Sequence, residues 1–269
     1  MPAAPPTIPP VPTAALYDAL APVYDRWQAA GLARPFSQVV LAKLLPALER
    51  HASEQATGPA PPLGSFVDLG CGTGELLLGI SRTHPDWRLV GLDGSGAMLD
   101  VARAKPGADR VHWIQGAMTA PPAVAPPLLD AAGCFYDALN HLTSTAELHA
   151  AMRAAARLLR RGGLFVFDAT NELGFERWWR GNRMWREPDW SVAIETHYDA
   201  VRRVAQADVT IRDGDRRSHA TLTERCFTNA EIRSALAAAG FDEVLSEPWS
   251  PFDLDAPGKT WWIGRNRRL

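Results

Sequence analysis

Cysteine is scarce in this chain: Cys71, Cys134 and Cys226 are the only three in 269 residues, and they lack the spacing of metal ligands. This excludes a disulfide framework and a cysteine zinc site, so the three read as reduced thiols of a reducing compartment. An excess of either charge is missing too. With 28 Lys and Arg against 30 Asp and Glu, the net charge of −2 leaves no basic footprint for nucleic acid. No apolar run reaches the length that crosses a bilayer as a helix. Residues 1–13 hold six prolines and no charged side chain, unlike a signal peptide with its basic start and apolar core. That segment reads as a disordered or polyproline leader. Glu195 and His197 do not make an obvious metal pair. The expectation from these absences is a soluble, cytoplasmic protein with no nucleic acid, membrane or metal partner.

What is present is concentrated in one region. Phe66-Val-Asp-Leu-Gly-Cys-Gly-Thr-Gly74 sets a short apolar run against alternate glycines, and Leu76, Leu77 and Ile80 then follow at helical spacing. The pattern predicts a parallel strand buried on both faces, a tight loop whose backbone approaches a ligand, and a helix. Leu89-Val-Gly-Leu-Asp93 predicts a second strand beside the first after a right-handed crossover, with Asp93 at the same carboxyl edge as the loop. A carboxylate there, 19 residues past Gly74, accepts hydrogen bonds from a ribose diol. Asp before a helix is also a common cap, so the loop, the spacing and the acid carry the argument together. They point to a cleft for an adenosine-bearing cofactor. A dinucleotide fingerprint reads G-x-G-x-x-G, whereas here the third glycine comes one residue early, in Gly70-x-Gly72-x-Gly74. Glu75 in the first helical turn would repel a diphosphate.

These motifs resemble the class I S-adenosylmethionine-dependent methyltransferases. Asp68-Leu-Gly-Cys-Gly-Thr-Gly74 is similar to their first motif, and Leu92-Asp93-Gly94-Ser95 followed by Met98-Leu99 to their second. The resemblance is close over roughly residues 60–170 and holds by layout elsewhere. It implies S-adenosyl-L-methionine as cofactor and S-adenosyl-L-homocysteine as product. The methionine portion would lie against Asp68, Gly70, Cys71, Gly72 and Gly74, the ribose at Asp93 and Gly94, and adenine on Met98, which reads equally as a core residue. The family usually carries an acid after the third strand, at the adenine amino group. This chain has Gly116-Ala117-Met118 there, so backbone groups and apolar packing must hold the base.

The expected fold is α/β: a Rossmann-like, doubly wound, seven-stranded sheet with an N-terminal helical lid and an antiparallel β insertion after the fifth strand. Helical spacing covers 14–28 and 35–51, which form the lid (14–51) behind the leader (1–13). Strands are expected at 88–93, 111–115, 128–136 and 164–168, with a helix over 146–160 stopped by Gly162-Gly163. Strands at 192–204, 209–211 and 221–227, with a hairpin turn at Asp213-Gly214-Asp215, form the insertion (171–227), an acceptor cover or oligomer contact. Thr228 and Glu231 make a capping box for a helix that Gly240 ends. An antiparallel pair at 241–245 and 260–264 completes the core (64–170 and 228–269).

Tyr17, Tyr24 and Trp27 on the N-terminal helix, and Phe135 and Tyr136 at the end of the fourth strand, offer aromatic faces to a sulfonium. Packing against the sheet is the alternative. Phe135-Tyr-Asp-Ala-Leu-Asn-His-Leu142 is similar to a segment of small-molecule N-methyltransferases, including aminosugar N,N-dimethyltransferases. In that resemblance His141 matches a His, and Tyr24 in Ala21-Pro-Val-Tyr24-Asp25 matches a Tyr on the lid helix. Both are therefore the catalytic candidates. A neutral imidazole orients an amine or hydroxyl and accepts its proton, while helix-cap packing is the alternative for His141. Asp137 and Asn140 read first as turn residues, and Trp178, Trp179, Trp185 and Trp190 as packing rather than a pocket wall. The Asp/Asn-Pro-Pro-aromatic segment of enzymes that methylate nucleobase amines is absent. The expected activity is methyl transfer (EC 2.1.1.-) to nitrogen or oxygen of a small-molecule acceptor, with a catalytically silent binding protein for the cofactor or its product as the alternative. Glycine spacing disfavours a nicotinamide-dependent dehydrogenase, and a homodimer is left open.

Overall fold

A computed structural model describes residues 13–31, 35–53, 63–122, 128–251 and 257–267. The expected leader therefore lies outside the described residues, except for Thr13, which opens the first helix. Three helices begin the chain: α1 (Thr13–Leu20), α2 (Tyr24–Gly31) and α3 (Phe36–Ser53). The single helix anticipated over 14–28 is broken at residues 21–23. Pro22 has no N–H to continue the ladder, and the chain turns there with Val23 N donating to Leu20 O at 2.9 Å.

The core then alternates: β1 (Ser65–Leu69), α4 (Glu75–Thr83), β2 (Arg88–Asp93), α5 (Gly96–Arg103), β3 (Val111–Gln115) and β4 (Leu129–Cys134). After a short helical turn at Ala138–His141 come α6 (Thr145–Leu158) and β5 (Leu159–Thr170). The fourth strand stops two residues short of Tyr136 because Tyr136 and Asp137 adopt left-handed backbone, with φ of 60° and 63°. The fifth is longer than anticipated, since Arg160 to Gly163 join it as an irregular start with a register shift against β4. α7 (Glu172–Trp178) leads to the four-stranded insertion of β6 (Gly181–Arg186), β7 (Trp190–Asp199), β8 (Val204–Asp213) and β9 (Arg216–Arg225). The chain ends in α8 (Asn229–Ala239), β10 (Phe241–Trp249) and β11 (Lys259–Asn266).

The main sheet has the order β10-β11-β5-β4-β1-β2-β3. β1 to β5 pair in parallel, and β11 runs antiparallel to both neighbours. Strands covered on both faces need unbroken apolar runs, and every residue of β1 and of β11 is buried. One face packs on α6 and α8 through Leu148, Met152, Ile232 and Leu236. The other packs on α3 and α4 through Leu44, Leu48, Leu77 and Ile80. The capping boxes of α6 (Ser144, Glu147) and α8 (Thr228, Glu231) are formed, and Gly240 ends α8 with φ of 88°.

The insertion is a separate antiparallel sheet in the order β6-β7-β8-β9. β7 and β8 turn at residues 200–203, so the strands expected at 192–204 and 209–211 are two even arms of ten residues each. β8 alternates: Ala205, Ala207, Val209 and Ile211 are buried, and Gln206, Asp208 and Thr210 between them are exposed. That apolar face packs against Leu16, Leu20 and Val23 of the N-terminal segment. The lid thus rests on the insertion as well as on the core. β6, which no sequence pattern announced, is an almost fully exposed edge strand.

Candidate active site

At the carboxyl edge of the parallel strands a cavity of about 550 Å3 opens between the main sheet and the N-terminal helices. This is the size and place expected of a small-molecule site in a doubly wound sheet. The glycine loop forms its floor. Gly70 has φ of 80°, and a Cβ there would stand 3.0 Å from that of Ala138. Gly74, also left-handed at 79°, has no room either, since a Cβ would lie 2.4 Å from the Trp113 ring. These two positions fix why the loop carries glycine.

Asp93 locks onto that loop. Gly72 N–H donates to its Oδ2 at 2.8 Å and Ser95 N–H to its Oδ1 at 2.8 Å. Burial raises the Asp93 pKa above the usual range, and the Ser95 and Gly72 N–H bonds counteract this. Each carboxylate oxygen retains accepting capacity beyond these bonds, which suits a vicinal diol. Asp68, 4 % exposed, lies behind the loop. Its Oδ1 has no hydrogen-bond partner among the described residues. Burial first, and then the nearby Asp93 and Asp168, push its pKa up to about 7.

The lid reaches the floor through its two Tyr-Asp pairs. Tyr17 and Tyr24 face the cavity with ring centroids 6.3 Å apart. Their neighbouring carboxylates hold the rims. Asp18 Oδ1 accepts from Ser95 Oγ at 2.5 Å and from Ala97 N at 3.2 Å. Asp25 Oδ1 accepts from Thr73 Oγ1 at 2.6 Å, while its Oδ2 pairs with Lys105 at 2.6 Å. Lys105 also binds Glu75 at 2.7 Å, which neutralises the carboxylate of the first helical turn.

On the opposite wall the Tyr136-Asp137 turn is anchored from below. Asp168 accepts from Tyr136 N and Asp137 N at 3.2 Å each. Lys259, 1 % exposed on β11, pairs with Asp137 and, at 3.3 Å, with Asp168. Burial alone would lower its pKa, but these two carboxylates more than offset it and hold the ammonium charged. Its Nζ also sits 5.5 Å from the Phe36 ring. His141 follows the turn. Its Nε2 lies 2.9 Å from Tyr17 Oη, and its Nδ1 faces Glu224 Oε1 of β9 at 3.4 Å.

The cavity brings together nearly every site residue anticipated from sequence: Tyr17 and Tyr24 on the lid, Asp68, Gly70, Cys71 and Gly72 below it, Asp93, Gly94 and Met98 at one side, Gly116, Ala117 and Met118 after the third strand, and Phe135, Tyr136 and His141 after the fourth. Gly74 is the exception; it shapes the loop from behind, against Trp113. Trp185 meets Trp27 with ring centroids 5.7 Å apart, and Trp190 is buried within the insertion core. Glu224, Lys259 and Asp168 were not anticipated. No local pattern marks them, because each acquires its neighbours only through strand order.

The strand order, with its one reversed strand and its glycine loop facing a second-strand acid, defines the Rossmann-like methyltransferase fold. Sequence comparison agrees, as residues 66–163 match a family model described as a methyltransferase domain. The chain is similar to a putative methyltransferase of Geobacillus sp. (strain WCH70), 33 % identical over 105 residues that make up 38 % of this chain and 41 % of that protein. The chain thus spans about two-fifths of that curated relative. Among solved structures it is similar to the SAM-bound amino pentose methyltransferase CalS10 of Micromonospora echinaspora, at 25 % identity and a TM-score of 0.66 over 91 % of this chain and 97 % of that one. The sugar N-methyltransferase KedS8 of Streptoalloteichus sp. shares the fold, at 23 % identity and a TM-score of 0.68 over 100 % of this chain and 99 % of that one.

The residues present fit S-adenosyl-L-methionine. Asp93 keeps accepting capacity beyond its two loop bonds, Asp68 is a buried carboxyl whose Oδ1 has no hydrogen-bond partner among the described residues, and the loop offers bare backbone. Of the four acids in the described lining, Asp25 and Glu75 are paired with Lys105, which leaves Asp68 and Asp93 as the carboxyls facing the cavity without a cation partner.

Proposed function

We propose that this protein transfers a methyl group from S-adenosyl-L-methionine to nitrogen or oxygen of a small-molecule acceptor, an amine in the first instance. The observation that carries this reading is the acid-lined, aromatic-walled cavity in which the glycine loop and the second-strand carboxylate are already hydrogen-bonded to each other. The amino pentose methyltransferase likeness supports an amine acceptor. In this reading Asp93 holds the ribose, Met98, Ala117 and Met118 pack on adenine, and Asp68 meets the α-ammonium. Tyr17, Tyr24 and Tyr136 line the sulfonium.

When bound, the cofactor supplies an electrophilic methyl carbon and a sulfur that keeps the electron pair as its bond breaks. The chain's own part is chiefly orientation and exclusion of water. The lid closes over the cavity through Asp18 and Asp25, and His141 with Tyr17 faces the acceptor. A neutral His141 suits this role, since burial pushes its pKa down to about 4.

The test is incubation with methyl-labelled cofactor and a metabolite extract, read by mass spectrometry. Label on a small amine or alcohol supports the reading. Calorimetric binding of S-adenosylhomocysteine with no label transferred to any acceptor would instead favour a silent binding protein.

A further inference from the structure

His141 alone is a poor base, because protonating it would place a cation where burial disfavours one. Methylating an amine nevertheless leaves a proton to be removed. The structure supplies a second group for it. Glu224, 3 % exposed, comes from β9 of the insertion and presents Oε1 to His141 Nδ1 at 3.4 Å. His141 Nδ1 and Glu224 Oε2 have no hydrogen-bond partner among the described residues. Beyond the ring, Nε2 and Tyr17 Oη are 2.9 Å apart, and both Tyr17 and His141 line the cavity. The contact at Nδ1 is longer than a formed hydrogen bond, as is common at sites that tighten on ligand binding.

We propose that Tyr17, His141 and Glu224 form a continuous proton path, with the Glu224 carboxylate as the store for the proton that the acceptor releases. This rests on the methyltransferase reading above. The chain has two hydrogen-bond polarities. In one, Tyr17 O–H donates to Nε2, and Nδ1–H donates to the Glu224 carboxylate. In the other, protonated Glu224 donates to Nδ1, and Nε2–H donates to Tyr17 Oη. The second state holds one proton more than the first. Conversion runs as follows: the acceptor N–H bond breaks as Tyr17 Oη takes that proton, Tyr17 passes its own to Nε2, and His141 passes Nδ1–H to Glu224. One N–H bond is lost at the acceptor and one O–H bond is gained at Glu224, whose negative charge disappears.

No imidazolium persists at either end of this path, so the burial that weakens His141 as a lone base does not obstruct it. Burial also favours the neutral carboxyl, and it places the Glu224 pKa well above the usual range, with Asp137 adding to the rise. The other charged or titratable groups facing the pair are Lys259 of β11 and Asp168 of β5, which act on Glu224 in opposite directions. Tyr17 of α1 closes the remaining side and stays a neutral phenol, since burial raises its pKa. Glu224 does not line the cavity and acts through His141, so it is a positioning residue.

The test is nitrogen NMR of histidine-labelled protein between pH 5 and 10. In the wild type the His141 ring should remain neutral throughout and change tautomer, from Nε2–H at low pH to Nδ1–H at high pH, as Glu224 ionises. In Glu224→Gln the tautomer should stop responding to pH. Tyr17→Phe, which leaves the His141–Glu224 contact in place, should retain the change and covers the case in which the Glu224 variant does not fold. A tautomer constant across the range in wild type, or a change that survives Glu224→Gln, overturns the proposal. Calorimetry with S-adenosylhomocysteine separates the two readings. Binding to wild type and Glu224→Gln within about twofold is expected, whereas no binding to wild type would end the methyltransferase reading and leave the tautomer result to stand on its own.

Discussion

The two ends of the cavity are assembled in different ways. At the end proposed for the cofactor, Asp68, Gly70, Gly72 and Asp93 come from one strand-loop-helix-strand unit, and their bonds close within residues 68–95. At the end proposed for the acceptor, Tyr17, His141, Glu224 and Lys259 come from α1, the turn after β4, the insertion and the last strand. The first end is a local device that any neighbouring sequence can carry. The second exists only when the whole chain has folded, so damage there should register as lost stability as well as lost chemistry.

The largest effect should come from the second end. Lys259→Met leaves the fully buried Asp168 and the partly exposed Asp137 of the left-handed turn without their shared cation. It should cost about 3–5 kcal/mol, measured by urea unfolding, with Asp168→Asn restoring part of the loss. A cost below about 1 kcal/mol would mean that the turn does not depend on β11.

Asp93→Ala should show mainly in binding, beyond the stability lost with its bonds to Gly72 N and Ser95 N. Removing an acceptor of charged hydrogen bonds, each worth about 1.5–3 kcal/mol, should weaken S-adenosylhomocysteine binding by about 100-fold in calorimetry. Unchanged affinity would show that the loop does not grip the ribose. Asp68 gives an intermediate effect with a definite pH sign. Its pKa rises from 3.8 unfolded to about 7 folded, so its contribution to stability is fully present below about pH 4 and is lost as pH rises through about 7. Ligand-free Asp68→Asn should therefore melt higher than wild type at pH 8 and show little difference at pH 4, by calorimetric scanning. The smallest change is expected from Asp25→Ala. Its pairs with Thr73 and Lys105 are partly solvated, so affinity should fall by no more than about fivefold, with thermal stability nearly unaltered.

The same contrast explains what was legible in the sequence. The strand–helix alternation of the core, the glycine loop and the capping box at Thr228 are written in short windows, where apolar period and turn chemistry decide the outcome. β6 was not legible because Gly181 to Arg186 has neither alternation nor burial; it is a strand only because β7 offers it an edge. Glu224 sits in a Thr-Glu-Arg run that reads as solvent-facing, and Lys259 precedes a tryptophan pair that reads as plain core. Both acquire meaning only from what crosses over them. Tyr17 and Tyr24 lie between these extremes: the sequence marks both as aromatic faces of the N-terminal helix and both line the cavity, though Pro22 divides the helix that was to carry them.

That division decides how the N-terminal segment is held over the cavity. Asp18 is fastened beside the second strand and Asp25 beside the glycine loop, at two separate points with residues 21–23 between them in the chain. Arg26 further ties α2 to Asp189 and Asp213 of the insertion. The break lets the two halves be held separately: α1 is pinned at Ser95 and Ala97, and α2 at Thr73, Lys105 and the insertion, so no one contact carries the whole N-terminal segment.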